Sequence, residues 1–143
     1  KGRRDGVDVW DDYGHHPTEI WATLKALRAR NAGRRLVTLF QPHRVTRTRS
    51  LWNEFTEAFS LSDELWLADI YPAGEAPEAG ITAERLVAAI AAKGQVVRFA
   101  GSLQQARARV FGGLRENDVF LTLGAGNVFE VGEAFLAETR AGR

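Results

Sequence analysis

The 143-residue sequence contains no cysteine and no methionine. Without cysteine, disulfides, thiolate metal sites and cysteine nucleophiles are all excluded. Without methionine, Lys1 is not an initiator, and the expectation is a piece of a longer protein or a trimmed chain. An excess of one charge is missing too: 19 Lys and Arg stand against 18 Asp and Glu. That balance argues against a nucleic-acid binder, which needs a basic face. No apolar run approaches the ~18 residues that cross a bilayer, and residues 1–15 carry no apolar signal core. A soluble, cytoplasmic domain with no membrane partner is therefore expected. Gly-x4-Gly-Lys-Ser/Thr, Gly-x-Ser-x-Gly and His-Glu-x-x-His are all absent, so the chain has no P-loop of its own and no signature of those hydrolases.

What is present is an ordinary globular balance, 45% hydrophobic and 26% charged, which at this length predicts one domain over residues 1–143. Apolar runs at Val7–Trp10, Leu36–Phe40, Glu64–Ile70, Val96–Ala100 and Val119–Leu123 read as strands, Leu36–Phe40 being nearly continuous as in a strand covered on both faces. Between and after them, helical spacing predicts helices over Pro17–Asn31, Thr48–Leu61, Thr82–Lys93, Leu103–Leu114 and Val128–Thr139. Pro17 suits a first helical position, Glu19 the first turn, and Gly33 and Gly94 the stops. This alternation predicts a three-layer α/β/α domain with a mostly parallel, Rossmann-like sheet of five strands, or six if another precedes Val7.

In such sheets ligands bind beyond the carboxyl ends of the strands. The loops leaving the strands carry all three histidines and the densest arginine cluster, whereas those entering strands are bland. Asp11 and Asp12 can accept from ribose hydroxyls, bind a divalent cation, or cap the next helix. His15 and His16 suit ligation, proton transfer, anion contact or simple loop packing, and adjacent histidines point too differently to share one metal. Arg44, Arg47 and Arg49 open a helix, where cations oppose the helix dipole. A bound anion between guanidinium forks explains that placement, with a solvated basic face as the alternative. Gly124-Ala-Gly126-Asn127 has Phe129 where a dinucleotide fingerprint needs its third glycine, and reads as a tight turn.

Asp11-Asp-Tyr-Gly-His-His-Pro-Thr-Glu19, Gln41-Pro-His-Arg-Val-Thr-Arg-Thr-Arg49, Tyr71-Pro-Ala-Gly-Glu-Ala-Pro77 and Gly124-Ala-Gly-Asn127 resemble the C-terminal domain of the Mur ligases. These are the ATP-dependent ligases of peptidoglycan synthesis, and the likeness is to the branch joining L-alanine to UDP-N-acetylmuramate. It runs from about Val7 to the last helix. Val45 stands where the family usually has an aromatic residue. The resemblance implies a three-domain enzyme in which an N-terminal UDP-binding domain and a central ATP-binding domain, with the P-loop and principal Mg2+ ligands, lie outside this chain. ATP activates the muramate carboxylate as an acyl phosphate, which the L-alanine amine attacks. It further implies that Asp12 contacts the ATP ribose, Tyr13 and His15 line the amino-acid pocket, and Arg44 and Arg47 hold the alanine carboxylate. No metal ligand and no certain catalytic residue is carried over to this domain.

Two other readings compete. The recycling ligase that adds a tripeptide to UDP-N-acetylmuramate resembles Asp-Asp-Phe-Ala-His-His-Pro in the first motif and lacks the second in this form. A non-catalytic nucleotide- or anion-binding module is compatible with the missing P-loop. The resemblance predicts that the 143-residue chain alone has no ligase activity and binds ATP weakly at best. Phosphate release by the purified chain checks this, and steady ATP- and alanine-dependent release would contradict it.

Overall fold

Strand formation in this chain follows burial on both faces. Leu36–Phe40 and Val119–Leu123 are buried at every residue, and side chains alternate between the two sides of a pleated strand. The computed structural model describes residues 1–138. Its elements are β1 (Gly2–Arg4), β2 (Val7–Asp12), α1 (Pro17–Arg30), β3 (Leu36–Phe40), α2 (Val45–Ser50), α3 (Trp52–Phe55), β4 (Glu64–Ala68), α4 (Ala83–Ala91), β5 (Val97–Gly101), α5 (Leu103–Phe111), β6 (Val119–Leu123) and α6 (Phe129–Ala137). They build one six-stranded sheet in the order β1-β2-β6-β3-β4-β5. All neighbours are parallel except β1, which runs antiparallel to β2.

Helices cover both faces, giving the three layers. On one side Ile20 and Leu24 of α1, Phe55 of α3 and Leu86 and Ile90 of α4 pack on Phe40, Leu65, Leu67 and Leu121. On the other, Ala106 and Val110 of α5 and Val131 and Phe135 of α6 pack on Val9, Val37, Leu39 and Phe120. Among the described residues no helix is long and apolar enough to cross a membrane.

Several boundaries differ from the sequence expectation, each for a local reason. β1 has no apolar pattern, but Asp5 and Gly6 both take positive φ (53° and 77°), as a two-residue hairpin turn requires. That Asp-Gly pair folds Gly2–Arg4 back onto Val7–Val9. β2 runs two residues beyond Trp10 because Asp11 and Asp12 pair with Thr122 and Leu123 of β6. The helix expected at Thr48–Leu61 starts earlier, at Val45, and is interrupted at Leu51, giving α2 and α3. It ends early where Thr56 turns its hydroxyl onto the Asn53 carbonyl at 2.6 Å. β4 stops at Ala68, β5 shifts by one residue to Val97–Gly101, and α4 and α5 are shorter than expected, with Thr82 and Ser102 as side-chain caps at their starts. α6 begins at Phe129, and the expected end at Thr139 lies outside the described residues.

The edge where the strands begin is tied by Arg35. Its guanidinium forks onto Asp118 (3.0 and 2.6 Å), reaches Glu64 at 3.0 Å and donates to the Gly113 carbonyl at 2.6 Å. The Asp118 side chain is only 4% exposed, so its removal strands a partly buried cation between three strand starts. Asp118→Ala is expected to cost about 3 kcal/mol of stability, read as a lower urea midpoint at unchanged slope.

Candidate functional site

The opposite edge gathers the loops that leave the strands, and its first loop shows how local capping sorts the candidates. Asp12 Oδ2 accepts from Gly14 N at 2.9 Å and from Thr23 Oγ1 at 3.1 Å. Asp11 points to the other face, where its Oδ1 takes the Thr122 hydroxyl at 2.6 Å. Neither aspartate caps α1. That task falls to His16, whose Nδ1 accepts from Thr18 N at 3.2 Å, and to Glu19, whose Oε1 accepts from the amides of His15 and His16, both at 3.1 Å. Those two amides hold the Glu19 carboxyl below its usual range. His16 is thus a helix cap. Tyr13 stands 68% exposed at the rim.

His15 turns inward from the same loop. Its Nδ1 lies 3.2 Å from the Tyr13 carbonyl; a carbonyl only accepts, so Nδ1 carries a proton there. The His15 ring comes within 5.9 Å of the His43 ring from the loop after β3. His43 in turn stacks on Tyr71 at 5.3 Å with an interplanar angle of 8°, the two residues being bridged as if β3 and β4 continued past their ends. Arg47 Nη1 lies 3.1 Å from His43 Nδ1 and 3.3 Å from the His43 carbonyl. Burial, and then the positive charge of Arg47, push the His43 imidazole below its usual range, so it is neutral near pH 7.

The three arginines of this loop have different fates. Glu75, from the loop after β4, sits at the start of α2 and accepts from Val45 N (2.6 Å), Thr46 N (3.0 Å) and Thr46 Oγ1 (2.6 Å). Its Oε2 is also 3.9 Å from Arg44 Nη1. Arg49 pairs with Glu78 of the same loop. Arg44 and Arg49 thus each have a carboxylate of the chain within 4 Å, the Arg44 pair being the looser. Among the described residues, Arg47 alone of the three has no carboxylate within 4 Å.

The turn after β6 closes the edge. Gln41 Nε2 donates to Asn127 Oδ1 at 3.0 Å, and at Gly126 an added Cβ would stand 2.9 Å from the Tyr71 ring. Gln41, Asp69, Tyr71, Ser102 and Asn127 line a cleft of about 300 Å³ there. A second cleft of about 360 Å³ runs beside Asp12 along Trp10, Thr23 and Arg30. A larger cleft, about 690 Å³, lies away from this edge around Arg4, Phe111 and Glu116 and holds none of these groups. Among the described residues no three His, Asp or Glu side chains converge to hold a metal ion. The structure brings together His15, His43, Tyr71 and Arg47, and keeps Asp12 and Arg44 on separate partners. Sequence reasoning had given no role to His43, Tyr71 or Glu75. The three residues between His43 and Arg47, one helical turn, are the signal that could have found that pair.

The fold and this edge define a mostly parallel α/β domain with its polar groups gathered beyond the strand ends, and residues 1–126 match the family model "Mur ligase, glutamate ligase domain"; the chain belongs to the Mur ligase family. Among curated proteins it is 46% identical over 132 residues to a UDP-N-acetylmuramate–L-alanine ligase of Bdellovibrio bacteriovorus, covering 92% of this chain and 29% of that protein. The chain spans about three-tenths of the length of the curated relatives it matches. A solved UDP-N-acetylmuramate-alanine ligase from Thermotoga maritima superposes with a TM-score of 0.77 at 24% identity, over 97% of this chain and 28% of that one. A domain from a candidate UDP-N-acetylmuramate:L-alanyl-gamma-D-glutamyl-meso-diaminopimelate ligase of Haemophilus ducreyi does so at 0.71 and 24% identity, over 95% of this chain and 94% of that one.

Hydrogen bonds from Thr46, hydroxyl first and then amide, lower the Glu75 carboxyl below its usual value of 4.5. Its contribution to holding α2 is therefore present above pH 4.5 and lost as pH falls through the lowered value. Amide exchange at Val45 and Thr46 is expected to quicken across that acid window. In Glu75→Ala it is expected to be fast at every pH.

Proposed function

We propose that this chain is the C-terminal domain of an ATP-dependent ligase that joins L-alanine to UDP-N-acetylmuramate through an acyl phosphate. The observation that carries the reading is Arg47, a guanidinium at the ligand edge that rests on the His43 ring and, among the described residues, has no carboxylate of its own within 4 Å. A small amino acid offers the carboxylate that such a fork pairs with. Arg44, nearly half exposed and 3.9 Å from Glu75, is the second group of the clamp. Tyr13 and His15 form the wall around the amino-acid side chain and amine. Holding the carboxylate orients the amine for attack, which is where this domain contributes to rate.

ATP supplies the phosphoryl group that activates the muramate carboxylate when bound. The residues present fit its ribose: Asp12 engages Gly14 and Thr23 through Oδ2 and lines the cleft beside Trp10, where a carboxylate can accept from ribose hydroxyls. The phosphates and Mg2+ belong in this reading to a central domain, and the UDP-sugar to an N-terminal domain, of the same cytoplasmic polypeptide. Three curated relatives, at 46%, 48% and 49% identity, carry the L-alanine ligase name, which favours alanine over a tripeptide as the incoming group.

Alanine-dependent phosphate release by the full-length enzyme tests the reading. Arg47→Ala removes a charge-assisted contact and is expected to raise the alanine KM roughly 10- to 100-fold, leaving the KM for ATP and the UDP-sugar nearly unchanged. An unchanged alanine KM would return Arg47 to a solvated face and sink the clamp.

A further inference from the structure

The contact between Arg47 and His43 has only one chemically allowed sense. Arginine has five donors and no acceptor, and it keeps its proton at any pH a protein survives. The 3.1 Å approach of Nη1 to His43 Nδ1 therefore requires a lone pair on Nδ1. A neutral imidazole with a bare Nδ1 carries its proton on Nε2. The ring cannot turn away easily, because it lies flat on Tyr71 at 5.3 Å. Tyr71 is itself pinned, its amide donating to Pro42 O at 2.8 Å and its carbonyl accepting from Arg44 N at 2.7 Å.

We propose that His43 is a positioning residue: its Nδ1 lone pair and backbone carbonyl hold the Arg47 guanidinium in the orientation that receives the substrate carboxylate. This rests on the reading of Arg47 as the amino acid's anchor. A long side chain tethered at two acceptors loses less freedom when its ligand arrives. The tether is also a proton-controlled latch. Adding a proton to Nδ1 sets donor against donor and cation against cation, which releases Arg47. The groups facing His43 are Arg47 from α2, Arg44 from the turn before it, His15 from the loop after β2, and Tyr71 and Glu75 from the loop after β4. Three of these are basic and one is acidic, and the balance holds the ring neutral, in keeping with its lowered pKa.

Histidine-labelled nitrogen NMR on the chain reads the tautomer directly, and the separately solved Haemophilus domain, of which this chain covers 94%, shows that domains of this fold stand alone. The expected result is a His43 with its proton on Nε2, titrating below 6.5. Arg47→Ala should move that titration up toward 6.5 and mix the tautomers. A wild-type His43 protonated on Nδ1, or a titration unmoved by Arg47→Ala, overturns the proposal. In the full-length ligase, His43→Phe keeps a ring on Tyr71 but removes the acceptor. It should raise the alanine KM about tenfold with little change in kcat, an effect of one charge-assisted hydrogen bond. His43→Asn, whose Oδ1 replaces Nδ1, should recover part of that loss; no recovery counts against the latch. If the NMR signature holds but Arg47→Ala leaves the alanine KM unchanged, the amino-acid reading of the site fails instead. If the signature is absent while Arg47→Ala raises that KM, the reading stands and the latch fails.

Discussion

The ligand edge depends on backbone hydrogen bonds that carry the parallel sheet past the ends of its strands. Gln41 N donates to Leu123 O at 3.0 Å, Gly124 N to Asp12 O at 3.1 Å, Tyr71 N to Pro42 O at 2.8 Å and Arg44 N to Tyr71 O at 2.7 Å. Loops are usually where backbone groups turn to water; here three loops remain zipped to one another, so the side chains they bear are placed almost as firmly as those on strands. The zipping forces Arg44 to φ 74°, a region that costs a non-glycine residue on the order of 1–3 kcal/mol. Its amide bond to Tyr71, and the amide and hydroxyl of Thr48 on its carbonyl, offset that strain. The same constraint explains why Gly126 has no side chain: the Tyr71 ring occupies the space.

Charge at this edge is divided rather than pooled. Glu75 and Glu78 engage Arg44 and Arg49 at the solvent side, where exposed pairs contribute little and are screened by salt. Arg47 instead rests on an uncharged ring. A neutral acceptor orients a guanidinium without neutralising it, so the positive charge stays available to a ligand. An aspartate in place of His43 would hold Arg47 more tightly and compete with any incoming carboxylate.

What the sequence disclosed followed from burial. β3 and β6 were legible to the residue, because a strand covered on both faces can only be a continuous apolar run. The ligand edge was legible too, since polar residues had accumulated on one set of loops. Partner choice was not. The carboxylates that meet Arg44 and Arg49 lie about thirty residues away on another loop, and only the β3–β4 adjacency brings them near. The adjacency is itself invisible, for nothing in Val119–Leu123 says that this strand separates β2 from β3. His16 looked like a ligand candidate because a histidine cap has the same sequence appearance as a histidine ligand. The break at Leu51 was hidden by an apolar stripe that continues through it, from Leu51 to Phe55 and Phe59.

The place of β6 has a consequence for how the domain comes into being. Val119–Leu123 lies between β2 and β3, pairing Val9 with Phe120 on one side and Val37 with Phe120 on the other. A nascent chain grows at roughly 5–20 residues per second, so Val9 and Val37 wait on the order of ten seconds for the strand that joins them. Until it emerges from the ribosome, β2 and β3 each lack a partner along the edge that β6 takes, and such an open edge can pair with other chains. The sheet is therefore completed only when its middle strand, the last of the six in chain order, has been made.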